Sequence, residues 1–162
     1  MRNLKRERII ENIIQQLQDL EQDQLETVQQ AILSISPQNP SRLHSLGKLL
    51  GFSWNEDKEE MIMELGPFNA NIYGVAQGGA LYTFADVAIG FKILNQLKEK
   101  QKVFTLEMKM NFIKKGSGSK LIAQTEILHW GRKTIIGQCR IFDESKDIIA
   151  QSLGTFYLEE EK

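Results

Sequence analysis

From Ala80 to Leu97 the chain carries a helical pattern that is apolar almost all the way round. Leu81, Phe84, Ala85, Ala88, Ile89 and Ile93 recur at spacings of three and four, and Val87, Gly90 and Phe91 fill much of the remaining circumference. A helix of this kind needs cover on most of its sides. The chain that follows can supply it. Four segments, Lys102–Ile113, Ser119–Trp130, Lys133–Glu144 and Asp147–Leu158, alternate in part as antiparallel strands with one buried face do. The linkers "KKGSG", "GR" and "ESK" are short and turn-rich, so consecutive strands are expected to pair as hairpins. With a short strand candidate, "EEMIMEL" at 59–65, ahead of the helix, the expected class is α+β, an antiparallel sheet curled around one long helix.

Upstream the periodicity differs. Residues 4 to 20 read as a helix with Ile10, Ile13, Leu17 and Leu20 on one face. A second helix is expected to open on a capping box, Asp23-x-x-Glu26, and to carry Leu25, Val28, Ile32 and Ile35. "SPQNPS" at 36–41 breaks the pattern with two prolines. The expected organisation is therefore a helical extension at 1–40 and a second domain at 41–162. The extension is expected to cover an apolar surface or a partner subunit. A DNA-reading or docking module would use "SRLHSLGKLLG" as its third helix, and that segment has only Arg42 and Lys48 as fixed positive charges.

Composition narrows the chemistry. With 25% charged residues and a formal net charge of −1, the totals predict no nucleic-acid or anionic-membrane partner. No apolar run approaches the roughly 18 residues a membrane span requires, and no apolar h-region follows the basic "MRNLKRERII". A soluble cytoplasmic protein is expected. The single Cys139 cannot form an internal disulfide and is expected to fill the core. His44 and His129 stand far apart with no Cys or His near either, which argues against a zinc site, and no Gly-x-Ser-x-Gly elbow is present. Any chemistry must rest on a carboxylate and on backbone groups.

Both occur in "NIYGVAQGGALYTFADVAIG", residues 71–90. Here Asn71, Gly74, Gln77, Gly78, Gly79 and Asp86 stand at the spacing Asn-x-x-Gly-x-x-Gln-Gly-Gly, six residues, Asp. This motif, with the cadence of the strands after it, resembles the hotdog-fold acyl-CoA thioesterases of the phenylacetate-pathway (PaaI) type over roughly residues 41–160. Those proteins usually have His where Gln77 stands. The resemblance implies hydrolysis of an acyl-CoA by a homodimer, often paired into tetramers, with coenzyme A entering only as part of the substrate and no other cofactor or metal. It implies Asp86 as general base or nucleophile, the N–H groups of Gly78 and Gly79 as oxyanion hole, and supporting positions at Asn71, Gln77 and Thr105.

Each residue also has a simpler role. Asp86 could be a paired buried acid, the glycines an entry turn, Asn71 a turn cap and Thr105 an ordinary strand residue. A glutamine amide donates and accepts as a neutral imidazole does, but carries no proton reversibly near neutral pH. Lys114, Lys115, Lys120, Arg132 and Lys133 are candidates for the phosphates of CoA, although their spacing is not that of a P-loop. Trp130 could stack on the adenine. The acyl chain is expected in an apolar slot between subunits, lined in part by Tyr82 and Phe84. Geometry adds one requirement. Asp86 lies eight residues beyond Gly78, or roughly 12 Å along a helix axis, too far for both to reach one carbonyl. If both act, they come from different subunits. A second reading is an acyl-CoA sensor without catalysis, the extension serving regulation. A third, a hotdog hydratase, needs a histidine in the central motif and finds none.

Overall fold

The computed structural model describes residues 2–37 and 42–160. It divides into two compact units, Met1–Pro40 and Ser41–Lys162. Residues 38–41 of the expected boundary lie outside the described residues.

The first unit holds α1 (Arg2–Leu17) and α2 (Gln22–Ile35). The second helix starts earlier than expected. Its N-cap is Glu21, whose carboxylate accepts from the Gln24 backbone while its own N–H donates to Gln24 Oε1 at 3.0 Å. Asp23 is therefore already helical, and Glu26 accepts from Gln22 Nε2 at 3.0 Å in place of a cap. The first box that closes on helical geometry wins, and it lies two residues upstream of the one expected. Ile10, Ile13 and Ile32 of the apolar stripes are exposed.

The second unit opens on a short α3 (Ser45–Leu49), capped by His44, and a hairpin of β1 (Phe52–Asn55) and β2 (Glu60–Glu64). β1 has no counterpart among the sequence expectations, because four residues are too few to establish an alternation. A loop follows, built on the buried Asn69. Its amide donates to the carbonyls of Leu50 and Glu64 at 3.0 and 2.7 Å and accepts from Gly66 N–H at 3.0 Å. Then come α4 (Gly78–Leu94), β3 (Gln101–Phe112), β4 (Lys120–Trp130), β5 (Thr134–Phe142) and β6 (Ile148–Glu160). α4 stops one turn short of Leu97, at Asn95.

All six strands form one antiparallel sheet in the order β1-β2-β4-β5-β6-β3. It curls around α4, whose Phe84, Ala85, Ala88, Ile89 and Ile93 are fully buried. Burying each of the larger of these side chains is worth about 1.5–3 kcal/mol. Contact is close over β5: a Cβ on Gly137 would lie 2.6 Å from Ile89 Cγ2, so only glycine lets the helix settle there. The α+β arrangement expected from the periodicities, an antiparallel sheet curled around one long helix, is thus the one observed.

One pairing differs from expectation. β3 and β4 do not form a hairpin; β3 pairs with β6, and β4 pairs with β2. The connection after β3 stays with β6 through Ile113 and Lys114, whose N–H groups both donate to the Ile149 carbonyl. It then passes beneath, with Gly116 against Leu121, Ala76 and Ile149. β2 occupies the edge of β4 that a hairpin would have used. The shorter linkers before β5 and β6 do make hairpins.

Two local features make testable statements. Cys139 is buried, and desolvation pushes its thiol up to about 12. Native protein at pH 8 is expected to resist a thiol reagent that labels one cysteine per chain after unfolding; rapid native labelling would show that the sheet opens. Glu144 accepts from Ser119 N–H at 3.0 Å and from its hydroxyl at 2.9 Å, and these bonds hold its carboxyl below the ordinary value. A depressed acid contributes stability above its unfolded pKa and loses it as pH falls through the folded one. The Tm gap between the parent and Glu144→Gln is therefore expected at neutral pH and should close as pH drops below the ordinary carboxylate range. A gap independent of pH would assign Glu144 no role through its charge.

Candidate active site

The entry to α4 is assembled by the loop before it. Asn71 makes an asparagine turn, its Oδ1 accepting from the N–H groups of Tyr73 at 2.9 Å and Val75 at 3.4 Å. Ala76 N–H donates to the Gly116 carbonyl at 2.8 Å. Gln77 is the N-cap: its N–H donates to the Asn69 carbonyl at 2.7 Å, and its Oε1 accepts from Ala80 N–H at 2.8 Å.

The first four N–H groups of a helix have no intrahelical acceptor. Here the groups on Gln77 and Ala80 are satisfied by Asn69 and by the Gln77 side chain. That leaves Gly78 and Gly79, whose N–H groups have no intrachain acceptor among the described residues. The position expected to hold histidine is thus used for capping, for which an amide oxygen suffices. A Cβ on Gly79 would sit 2.9 Å from Gln77 Oε1, the movable end of the capping side chain, so a larger residue there would displace the cap. The buried Asn69 belongs to this machinery but was not a sequence candidate; an Asn in a Gly/Pro-rich loop reads as turn chemistry, and only its three bonds reveal a brace.

Asp86 lies two turns further along α4, half-buried. Thr105 Oγ1, from β3, donates to its Oδ1 at 2.8 Å. The hydroxyl fixes the carboxylate and leaves Oδ2 for other contacts. The two residues share a cavity of about 210 Å³. Its walls are apolar, with Val87, Phe91, Leu94, Val103 and Phe156. Its floor includes Gly90, one helical turn beyond Asp86 on the same face. Alanine is favoured over glycine in a helix by about 1 kcal/mol, and a Cβ at Gly90 would meet nothing within 4 Å. The missing side chain leaves the cavity open. Leu43 with the polar Arg42 and His44 completes the lining. Neither polar residue was a site candidate in this sense, because both lie before the strands and more than 40 positions from Asp86.

Neither Phe84 nor Tyr82 lines this cavity. Phe84 is fully buried and packs on Phe52 with ring centroids 5.0 Å apart, so it belongs to the core. Tyr82 donates its hydroxyl to the Met108 carbonyl, on the stretch of α4 nearer the glycine pair.

The basic candidates separate into two groups. Lys115 and Lys120 flank the crossover near the start of α4, and Lys114 is paired with Asp147 at 2.9 Å. Arg132 and Lys133 lie in the turn at the other end of β4, roughly 33 Å away along the strand. Lys133 rests over the Tyr157 ring, 5.6 Å from its centroid. One chain alone does not gather these cations into a single patch.

Residues 73–150 match the family model of the thioesterase superfamily. Over these residues the second unit is similar to the thioesterase superfamily. Solved structures agree in fold. A Bacillus halodurans protein crystallised with CoA superposes with a TM-score of 0.83 at 20% identity, over 93% of this chain and 99% of that one. A thioesterase from Haemophilus influenzae gives 0.68 at 20% identity, over 71% and 82%. A phenylacetic acid degradation-related protein from Ralstonia eutropha gives 0.64 at 16% identity, over 72% and 92%. No curated protein matches the chain. Among the described residues no helix is long and apolar enough to cross a membrane.

Proposed function

We propose that the second unit is a thioesterase that hydrolyses an acyl-CoA to the free acid and CoA in a site shared by two copies of the chain. The observation that carries this reading is the pair of N–H groups left unpaired at Gly78 and Gly79 while Asp86, held by Thr105, stands two turns away. The glycine N–H groups of one copy receive the thioester oxygen, aided by the positive end of the α4 dipole. Asp86 of the other copy supplies Oδ2 to the carbonyl carbon, either drawing a proton from the attacking water or attacking directly to give a mixed anhydride that water then opens. The electron pair of the cleaved C–S bond leaves on the CoA sulfur. CoA is substrate here, and the scheme uses neither metal nor organic cofactor.

β3 is the natural seam. It ends the sheet, paired on one side only, and Phe104, Leu106, Phe112 and Ile113 along it are exposed. Long apolar edges are templates for a further strand. Phe112 lies against Gly78, where a Cβ would be 3.5 Å from its ring, and Thr105 lies against Asp86. Two β3 strands paired antiparallel, with Thr105 of one opposite Phe112 of the other, therefore bring the glycines of each copy to the Asp86 of its mate. The same pairing places Lys115 of one copy at the end of the site that carries Arg132 and Lys133 of the other, a two-chain cradle for the CoA phosphates. Such dimers can pair again into tetramers.

The test is release of free CoA thiol from short, long and aromatic acyl-CoAs, with Asp86→Asn as control. Release lost in the variant supports the reading; binding of acyl-CoA without release by the parent would overturn it in favour of a sensor.

A further inference from the structure

The cavity beside Asp86 has two chemically different ends. At one is the Asp86–Thr105 pair. At the other, the segment that leads into α3 lines the mouth of the cavity with the exposed Arg42 and His44. The Arg42 guanidinium is held in place: Nη1 donates to Asn95 Oδ1 at 2.9 Å, and the group lies 5.5 Å from the centroid of Phe91, itself a wall of the cavity. Phe91 is five residues beyond Asp86 and Asn95 nine, so the cation stands roughly 7–14 Å along the helix from the reacting carboxylate. His44 is fixed as well. Its Nδ1 accepts from Gly47 N–H at 3.0 Å, which leaves Nε2–H as the ring's free donor. Between the ends the walls are apolar and the floor is opened by Gly90.

From this we infer that the acyl group taken by the site is a chain of medium length ending in an anionic hydrogen-bond acceptor, a carboxylate above all. The inference rests on the reading of Asp86 as the reacting end. An unbranched alkyl terminus would offer the exposed guanidinium and imidazole donors no acceptor and leave them to water. A terminal carboxylate accepts from both, and the planar guanidinium fork matches its geometry. The carboxylate also lies at the end of the slot remote from Asp86, where like charges are farthest apart. Arg42 is then a specificity-determining residue and Gly90 the residue that sets the slot's length.

The experiment compares matched thioesters, adipyl-CoA with hexanoyl-CoA and suberyl-CoA with octanoyl-CoA, on the full-length protein. The parent is expected to favour the carboxylated member of each pair by about tenfold in kcat/KM. Arg42→Gln should abolish the preference, with the fold checked by its Tm. Gly90→Leu should depress both members of the longer pair relative to acetyl-CoA without changing their ratio, and Gly90→Ala should raise Tm by roughly 2–4 °C. A parent that favours the alkyl esters, or a ratio that survives in Arg42→Gln, overturns the inference. Should the parent hydrolyse none of the esters, the catalytic reading fails by itself. Competition binding of the same pairs then decides the slot: tighter binding of the carboxylated esters sustains it, and equal binding or none overturns it.

Discussion

Asp86→Asn is expected to lower kcat by roughly 10²–10⁴-fold, the range for removing a positioned general base. KM should change little, because asparagine is nearly isosteric and its Oδ1 can still accept the Thr105 hydroxyl that now meets Asp86 at 2.8 Å. The loss therefore reports chemistry, not a rearranged pocket. Thr105→Ala provides the second arm. It removes the bond that orients the carboxylate and should cost about tenfold, with Thr105→Ser restoring most of the rate. A variant at Asp86 that kept most of the parental kcat, with Tm unchanged, would return Asp86 to the role of a paired structural acid.

Two inactive variants mixed together are expected to regain activity. Gly79→Val puts a branched side chain beside the two glycine N–H groups and displaces the Gln77 cap, whose Oε1 lies 2.9 Å from the position of a Cβ, while Asp86 remains. Asp86→Asn disables the other half. If each site takes its glycines from one copy and its acid from the other, a dimer of one variant with the other contains one doubly damaged site and one intact site. Equal mixing with subunit exchange should restore about a quarter of the parental activity, half of the dimers carrying one good site in two. Lys at Leu106, on the open edge of β3, should prevent this recovery and shift the protein to monomer in sedimentation, because it would bury an unpaired charge at the seam. No recovery from exchanging, intact dimers would place both halves of the chemistry in one chain.

Particular residues show how far a linear reading reaches. The motif from Asn71 to Asp86 was visible because its members share one loop and one helix, where spacing translates directly into position. Thr105 was a candidate, and its bond to Asp86 joins elements whose partners lie 19 positions apart. Gln77 could be recognised as a departure, but its use as a cap depended on the backbone of Ala80. Asn69, Arg42 and His44 carried no signal of their own, since each acts through residues distant in sequence.

The division has a physical basis. Apolar periodicity is local, so an all-round apolar segment and the alternating segments behind it were enough to dictate a helix enclosed by a sheet. The fixed rise of a helix was enough to separate Gly78 from Asp86 beyond the reach of one carbonyl. Strand order is not local. A linker of turn residues favours a hairpin between β3 and β4, yet β2 claims that edge of β4, and the crossover through Gly116 leaves β3 at the outer edge beside β6. That nonlocal choice exposes the seam, sets Thr105 against Asp86, and makes room for Arg42 and His44 at the far end of the slot. Pairing energies summed over the whole sheet decided it, and no window of the sequence contains that sum.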